Sequence, residues 1–493
     1  MRRIPASFLP PITLDAASGV PMHRQLSEWF RRAIVDGRLR SGQRVPSSRS
    51  LASELKISRI PVLSAYEQLY AEGYLETFVG AGTCIARSIP DAGLKSADAT
   101  PHSAPLRIAA HAAPRKISRR SASMREPAPT WLDSQGAFRI GVPALDHFPM
   151  GVWSKLVNRH ARKPAIDMMV YGDPMGYLPL REAIAEYLNT VRAVRCDASQ
   201  IVMTTGSQQG LQICAHVLLD PGERVWVEEP GYPGARQALM TVGAKPVPVP
   251  VDQEGLNVMA GIRHSRGAHA AYVTPSHQFP LGMTMSATRR MQLLNWATRN
   301  GAWIIEDDYD SEYRFGGQPI TSLQGLDTDG RVIYVGTFSK VVFPALRLGY
   351  VVVPKDLVPA FYDARNATDT FCATLYQVVM TDFIREGHFA RHIRRMRTLY
   401  MERRTALLVA IGKHLGDQLE VIGAEAGMQL VALLPPGVDD VAVSRKAAGL
   451  GISVRPLSPC YANPPVRGGL ILGYGGAGVR EIQDGIRKLK SCI

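Results

Sequence analysis

The stretch YVGTFSKVVFPALRLGY, residues 334–350, decides the fold class of most of the chain. Its first half is an apolar, strand-like run that ends in hydroxylated residues and Lys340, and Arg347 follows seven residues later. Apolar runs of this kind alternate with helical stretches from residue 131 onward, as in QIVMTTG, RVWVEEP, AAYVTPS and AWIIEDD. This alternation predicts an α/β domain with a largely parallel sheet. Ligands bind such sheets where the strands end, so Lys340 is predicted to lie in a ligand site.

Length and charge indicate more than one domain and a polyanionic partner. The 493 residues exceed one ordinary core, so two or three domains are expected. The net charge is +14, and residues 1–130 contribute +9 of it through 19 lysines and arginines against 10 acidic residues. A basic front end favours a partner such as DNA, although a solvated arginine-rich arm would have the same composition.

The cysteines and the apolar segments favour a cytoplasmic protein. Six cysteines are scattered singly, without a CxxC pair or a histidine cluster, which argues against disulfides and against a metal site. The first residues, MRRIPASFLPP, are interrupted by prolines and do not read as a signal peptide. No stretch approaches about 18 apolar residues, so no membrane span is expected.

Residues 15–87 are predicted to form a winged helix-turn-helix unit that is mostly α-helical. MHRQLSEWFRRAIVDG has helical apolar spacing, SRSLASELKI and SRIPVLSAYEQLYAEG predict two further helices, and YLETFVGAGTCIA predicts a two-stranded ribbon. The second helix of the pair would lie in a DNA major groove, although three such helices could also form a plain bundle. The predicted DNA-binding residues are Arg49, Ser58, Arg59, Gly82 and Thr83.

This unit resembles the DNA-binding domain of the GntR family. The resemblance covers PSSR, the LA pair, SR, AYEQL, EGYL and the GAGT wing, and it implies binding to double-stranded operator DNA. One departure is SRIPV, because Ile60 and Pro61 cannot form hydrogen bonds to base edges through their side chains. Base reading is therefore expected to depend more on Arg59 and the neighbouring turns.

A linker and a larger domain make up the rest of the chain. Residues 88–130 are rich in Ala, Ser, Pro and Arg and are predicted to be a flexible linker, because this composition cannot bury a core. Residues 131–493 are predicted to form the α/β domain. Its large subdomain is expected at about 140–385, and a small α+β subdomain is expected at about 386–493.

Polar groups at four strand ends describe a pocket for pyridoxal 5'-phosphate. Lys340 can form a Schiff base with the aldehyde of the cofactor. Asp307 can keep the pyridine nitrogen protonated, Tyr309 can donate to the ring oxygen, and Tyr232 can stack on the ring. The phosphate needs backbone N–H groups, hydroxyls and an arginine, and the candidates are Ser207, Gln208, Thr337 and Arg347. Each residue alone is more often structural, so the prediction depends on their joint order.

Roughly residues 140–490 also resemble the fold-type I aminotransferases. The motifs are YGDPMGYLPLREAIAEYL, TTGSQQGL, EEPGYPGAR, EDDYDSEYRF and GTFSKVVFPALRLGY. The resemblance implies an internal aldimine on Lys340 and a homodimer in which Tyr171 reaches the phosphate in the partner subunit. A winged helix joined through a linker to such a domain resembles the MocR branch of the GntR regulators.

Two positions depart from the aminotransferase pattern, and the first of them concerns the effector. Ile471 stands where those enzymes have the arginine that binds the substrate carboxylate. In TPSHQFPLG, Gln278 or Phe279 stands where they have an asparagine at the ring oxygen. Full transamination is therefore less expected, and the candidate side chains for an anionic effector group are Arg236, Arg455 and Arg467.

These features predict a DNA-binding transcription regulator that depends on pyridoxal 5'-phosphate and is not primarily an enzyme. The cofactor itself, or an amine or amino acid effector, would modulate DNA binding. Two alternatives stay open at this point. One is an active aminotransferase with a DNA-binding appendage, and the other is a GntR repressor whose C-terminal domain serves only as a dimerisation scaffold.

Overall fold

The computed structural model describes residues 9–15, 17–78, 82–87, 117–118, 121, 136–316, 320–416, 418–465 and 467–493. The chain divides into two compact units, Met1–Arg115 and Lys116–Ile493, and each is described by itself. The predicted linker at 88–130 lies almost wholly outside the described residues, as does the tip of the predicted ribbon at 79–81. Among the described residues, no helix combines the length and the apolar character needed to cross a membrane.

The first unit has the order of elements predicted for a winged helix-turn-helix. Its elements are α1 (Met22–Val35), α2 (Ser48–Glu54), α3 (Arg59–Ala71), β1 (Leu75–Phe78) and β2 (Gly82–Ile85). The apolar positions of α1 recur at helical spacing, and Leu26, Phe30 and Ala33 are fully buried in a core shared with α3. β1 and β2 pair antiparallel as the predicted ribbon.

A largely parallel eight-stranded sheet organises the second unit, as predicted. Its strands are β3 (Ile201–Thr204), β4 (Arg224–Glu229), β5 (Lys245–Asp252), β6 (Gly255–Leu256), β7 (Ala268–Val273), β8 (Trp303–Asp308), β9 (Val332–Thr337) and β10 (Gly349–Val352). They lie in the order β3-β10-β9-β8-β7-β4-β5-β6. β10 runs antiparallel to β3 and β9, and β6 runs antiparallel to β5, while the remaining pairs are parallel.

Helices cover both faces of this sheet, which explains why its strands are predominantly apolar on both faces. Val227 and Trp226, neighbours on β4, belong to two separate apolar clusters on opposite faces. The helices of the unit are α4 (Met150–Ala161), α5 (Leu178–Val191), α6 (Ser207–Leu218), α7 (Pro233–Thr241), α8 (Val258–His264), α9 (Ala287–Asn300), α10 (Leu323–Leu326), α11 (Val358–Asp369), α12 (Thr374–Arg385), α13 (His388–Leu415), α14 (Asp440–Gly449) and α15 (Val479–Leu489).

A smaller antiparallel sheet lies in the C-terminal part of the unit. Its strands, β11 (Glu420–Ile422), β12 (Gln429–Leu433), β13 (Arg455–Pro456) and β14 (Gly469–Gly473), lie in the order β11-β12-β14-β13. The chain just after residue 136 joins this sheet, because Phe138 bridges Gly473 and Ala137 bridges Ile452. Residues 137–138 therefore pack with the C-terminal part and not with the large sheet.

Candidate functional site

The carboxyl ends of the adjacent parallel strands β4, β7, β8 and β9 meet at one edge of the large sheet, where a cavity of about 290 Å³ lies. Residues of the smaller sheet close its other side. The predicted site residues that line it are Ser207, Gln208, Tyr232, Asp307, Tyr309, Thr337, Lys340, Arg347 and Arg455. Side chains separated by more than 200 positions in the sequence thus face one enclosed space.

Lys340 lies just after β9 and points into this cavity. Its Nζ donates to the carbonyl oxygen of Gly141 at 3.3 Å. A Cβ atom on Gly141 would lie 2.4 Å from Nζ, and Gly141 has a φ of 69°, so a side chain at this position would be strained and would displace the amine from its observed position. Burial lowers the pKa of Lys340, and the carboxylates of Asp310 and Asp307 oppose that effect. A buried amine with a lowered pKa is suited to act as a nucleophile toward a carbonyl group.

Asp307 supplies a buried carboxylate that is only half satisfied. Tyr272 donates its hydroxyl proton to Oδ2 at 2.8 Å. Oδ1 is buried without a hydrogen-bond partner among the described residues. Burial raises the pKa of Asp307 to about 7, although the Tyr272 hydrogen bond acts in the opposite direction. Because buried polar atoms are normally paired, Oδ1 indicates that a ligand N–H group belongs at this point.

The N-terminus of α6 and Arg347 form a cradle for an anion. Gly206 precedes α6 with a φ of 103°, and a Cβ atom on it would lie 3.0 Å from Nη2 of Arg347. Arg347 itself has a φ of 52°, a strained value for a residue with a side chain. Backbone N–H groups at a helix N-terminus and a guanidinium both favour phosphate. Ser207 and Thr337 border the same part of the cavity.

Aromatic rings form the wall that a flat ligand would contact. Tyr232 lies at right angles to Phe279, with ring centroids 5.6 Å apart, and Phe279 packs similarly on Tyr309 at 6.2 Å. Of the two residues predicted for the asparagine position, Phe279 lines the cavity. Gln278 instead donates to the backbone carbonyl oxygens of Pro230 at 2.8 Å and Phe279 at 2.6 Å.

Arg455 lies directly opposite Ile471, the position where the sequence lacks the expected arginine. The two residues are direct cross-strand partners on β13 and β14, so their side chains share one face of the small sheet. Ile471 is fully buried in an apolar cluster, and Arg455 reaches the cavity. Nε of Arg455 is buried without a hydrogen-bond partner among the described residues, and its guanidinium lies 5.8 Å from the Phe279 ring centroid.

The other two candidate effector arginines, Arg236 and Arg467, are not among the residues that line the cavity. Arg467 donates to the carbonyl oxygen of Leu434 and pairs with Glu420 at 2.5 Å, so its charge is committed elsewhere. Arg236 donates to the carbonyl oxygen of Pro459 at 2.9 Å. Tyr171 is also outside the cavity of its own chain, where its side chain is 86% exposed.

The sequence did not identify several residues that the fold brings to the site. Tyr272, Asp310 and Gln429 line the cavity, and His277 lies directly behind Asp310 at 2.9 Å. Tyr272 lies on β7, beside β8, and Asp310 directly follows Tyr309, but strand alternation places neighbouring residues on opposite faces and so gives no signal for Asp310. His277 and Gln429 give no local signal, because their positions depend on which elements pack together.

The first unit presents a candidate DNA surface on its second and third helices. Arg49 and Arg59 are exposed in their first turns, and Nε of Arg59 donates to Oγ of Ser48 at 3.1 Å. Ser58 occupies the N-cap position of α3 but makes no capping hydrogen bond through its side chain. The structure therefore positions both arginines as predicted, at helix ends that favour phosphate.

The ribbon contributes a second edge to this surface. Gly82 begins β2 with a φ of 82°, and a Cβ atom on it would lie 3.1 Å from the Arg44 guanidinium. Arg44 is exposed and was not identified from the sequence. The hydroxyl of Thr83 is hydrogen-bonded to that of Tyr70 at 2.7 Å, so Thr83 also anchors the ribbon to α3.

Among the described residues, no group of His, Cys, Asp and Glu side chains could hold a metal ion.

Comparisons with known families agree with the division of the chain into two units. The family described as bacterial regulatory proteins, gntR family, matches residues 23–85. The family described as aminotransferase class I and II matches residues 139–468. The two matches coincide with the helical unit that presents Arg49 and Arg59 and with the unit that contains the cavity.

The chain is similar along nearly its whole length to proteins named as regulators, and over its second unit to solved aminotransferase structures. The probable rhizopine catabolism regulatory protein MocR of Rhizobium meliloti is 41% identical over 98% of this chain and 96% of its own length. The pyridoxine biosynthesis transcriptional regulator PdxR of Corynebacterium glutamicum is 32% identical over 94% of each chain. The α-aminoadipate aminotransferase LysN of Thermus thermophilus, solved with N-(5'-phosphopyridoxyl)-L-leucine, has a TM-score of 0.71 and 27% identity over 76% of this chain and 96% of its own.

Proposed function

The chain belongs to the GntR regulators that carry an aminotransferase class I and II domain, the MocR type, and from this we propose that it is a transcription regulator controlled through the Lys340 cavity. Pyridoxal 5'-phosphate is the proposed cofactor. The observation that carries the proposal is the unpaired, buried Oδ1 of Asp307 in a cavity that also holds an amine and an anion cradle.

Each part of the cofactor has a suitable partner in the cavity. When bound, pyridoxal 5'-phosphate supplies an aldehyde that condenses with amines. Lys340 provides the amine, Asp307 accepts a hydrogen bond from the N–H group of the ring nitrogen and so keeps it protonated, and Tyr309 donates to the ring oxygen. Tyr232 offers its ring face for stacking. The phosphate is assigned to Ser207, Gln208, Thr337 and Arg347, which border the cavity together.

The effector is proposed to be an amine, an amino acid or the cofactor itself. Arg455 is the proposed partner for an anionic group, because it lines the cavity opposite Ile471 and its buried Nε has no hydrogen-bond partner among the described residues. Arg236 and Arg467 are weaker candidates for this role, since neither lines the cavity and both donate to backbone carbonyl groups.

Regulation, and not sustained turnover, is the proposed role of the cavity. The motivating observation is Phe279, whose apolar ring occupies the wall where the resemblance leads one to expect a polar donor. An effector that displaces Lys340 would change the geometry of the domain and so the spacing of two DNA-binding units in a homodimer. Sustained turnover of an amino donor with a keto acid would contradict this role.

DNA binding through Arg49, Ser58, Arg59, Gly82 and Thr83 is the proposed output. The exposed arginines and the gntR family match support it. Phosphate contacts from arginines and helix N-termini would position the unit, and α3 would face the bases. Such a role also favours a cytoplasmic location.

Reduction with borohydride tests the covalent claim. The full-length protein loaded with pyridoxal 5'-phosphate should absorb visible light, and peptide mass analysis after reduction should find the added mass on Lys340. Lys340→Ala should lose the band and the adduct. Lys355→Ala is the matched control, because that lysine is exposed and paired with Asp197. A band that persists in Lys340→Ala would contradict the proposal.

A further inference from the structure

We infer that His277 and Asp310 form a positioning pair, which holds a negative charge beside Lys340 and directs the hydroxyl proton of Tyr309 into the cavity. The inference deepens the proposed function and rests on it. It concerns two residues that follow β7 and β8, two adjacent strands of the large sheet.

Both members of the pair are almost wholly buried. His277 is 3% exposed and Asp310 is 2% exposed. Nδ1 of His277 lies 2.9 Å from Oδ1 and 3.1 Å from Oδ2 of Asp310. Asp310 lines the cavity with Lys340, whereas His277 lies behind it. The imidazole is therefore placed to orient the carboxylate and not to contact a ligand.

One hydrogen-bonded proton decides where the Tyr309 hydroxyl can point. A carboxylate only accepts hydrogen bonds, so Nδ1 of His277 must carry a hydrogen atom and donate the hydrogen bond to Asp310. Oη of Tyr309 lies 3.1 Å from the same Nδ1 and cannot donate to an atom that already carries a proton. The hydroxyl proton of Tyr309 is thus left for an acceptor in the cavity. This is the donor that the ring oxygen of the cofactor requires.

The surroundings of the pair show that its position is fixed by packing. A Cβ atom on Gly427 would lie 2.1 Å from Cε1 of His277 and 2.5 Å from Oδ2 of Asp310. Bare backbone is therefore needed at Gly427. Nε2 of His277 is buried without a hydrogen-bond partner among the described residues, so Asp310 and Tyr309 alone hold the imidazole through hydrogen bonds.

The charge of Asp310 acts on the nitrogen of Lys340. Burial disfavours the charged form of this nitrogen and lowers its pKa, and Asp310 is the strongest of the opposing influences. The charged groups that face Lys340 are Asp310 and Asp307, which favour its protonation, and Arg455 and Arg347, which oppose it. The groups around Asp310 are His277, Lys340, Asp307 and the phenols of Tyr309, Tyr313 and Tyr474. Removing the Asp310 charge therefore weakens proton binding at residue 340.

A pH titration of the visible band tests the pair in the full-length protein loaded with pyridoxal 5'-phosphate. Asp310→Asn should keep the borohydride-reducible adduct on Lys340 and lower the pH midpoint of the band by about one unit, as expected for loss of a close opposite charge. Asp310→Glu keeps the charge and should retain more of the wild-type midpoint.

His277 is tested by two substitutions that differ in one hydrogen-bond donor. The amide N–H of His277→Asn can replace Nδ1–H, so its midpoint should stay nearer to the wild-type value than that of His277→Leu. Equal midpoints in these two variants would overturn the positioning role of His277.

A wild-type midpoint in Asp310→Asn would overturn the whole inference, even if His277→Leu fails to fold. A wild-type protein without any band would overturn the proposed function, and this inference with it. The two failures are therefore distinguishable.

Discussion

Asp307 is buried near the end of β8, where one carboxylate oxygen accepts from Tyr272 and the other has no donor in the part of the chain that the structure describes. It is one of several buried acids in the large sheet, and burial also raises the pKa of Glu228 and Glu306 to about 7. Those two differ from Asp307, because Thr274 and Gln278 donate to Glu228 and backbone N–H groups donate to Glu306. Among these three acids, Asp307 is the one whose hydrogen bonding a ligand in the cavity would complete.

Asp307→Asn should change how the stability of the cofactor-free protein depends on pH. Burial raises the pKa of Asp307 from 3.8 to about 7, so the folded state holds a proton that the unfolded state releases in this range. The stabilisation that this proton provides is present in full below pH 4 and is lost as the pH rises through 7, on the order of 4 kcal/mol in total. The melting temperature of the variant should therefore rise relative to wild type between pH 5 and pH 8.

Calorimetric scans with and without cofactor supply the control for this prediction. With cofactor bound, Asp307 has a partner, so the variant should melt below wild type at pH 8. If the difference in melting temperature between wild type and Asp307→Asn did not vary with pH in the cofactor-free protein, Asp307 would not be the buried acid whose pKa is raised.

Residues that follow strands could be predicted from the sequence, and residues joined by packing could not. Lys340, Asp307 and Tyr309 each come at or just after an apolar run, so the parallel-sheet rule placed them together. His277 and Asp310 are 33 positions apart, and their contact depends on β7 lying beside β8.

The effector candidates also could not be ranked from the sequence, because their positions depend on how the strands pair. Arg455 was only one of three arginines until the register of β13 against β14 set it opposite Ile471. Arg467 lies four residues before Ile471 in the sequence, yet its charge is held by Glu420 on β11. Proximity along the chain could not choose between them, because a short antiparallel strand can pair in several registers.

At the scale of elements, α2 and α3 should act through their N-terminal arginines. Arg49→Ala and Arg59→Ala are expected to weaken DNA binding, since each removes a charge from a helix end that can face a phosphate. Each should also flatten the log–log dependence of affinity on salt by about 0.9. Fluorescence anisotropy with a labelled duplex over a range of salt concentrations measures both effects.

Arg38→Ala is the matched control for these helices. Arg38 is an exposed arginine of the same unit, but it lies after α1 and pairs with Asp36 at 2.9 Å. It should leave the salt dependence unchanged. If Arg38→Ala and Arg59→Ala changed the slope equally, the effect would come from net charge and not from α3.

At the scale of the whole molecule, an exposed apolar segment is where the proposed homodimer is expected to form its interface. Ile166, Met169 and Tyr171 are 79%, 73% and 86% exposed, although such side chains are usually covered. Tyr171 packs only its ring edge against Phe371, at 6.0 Å between centroids. The proposed homodimer would cover this segment and bring Tyr171 to the partner subunit's phosphate site.

Mixed dimers test whether Tyr171 acts across the interface. Tyr171→Phe alone should weaken cofactor binding about tenfold or more, as expected for a lost hydrogen bond to a charged group, and Lys340→Ala alone should form no adduct. If Tyr171 serves the partner, a heterodimer of these two variants contains one site with both Lys340 and Tyr171. It should bind cofactor with wild-type affinity at half the wild-type stoichiometry. The reverse pairing, wild type with a chain that carries both substitutions, contains no complete site under this arrangement. If Tyr171 served its own chain instead, the two pairings would exchange outcomes, so a titration of purified heterodimers decides between a shared site and a separate one.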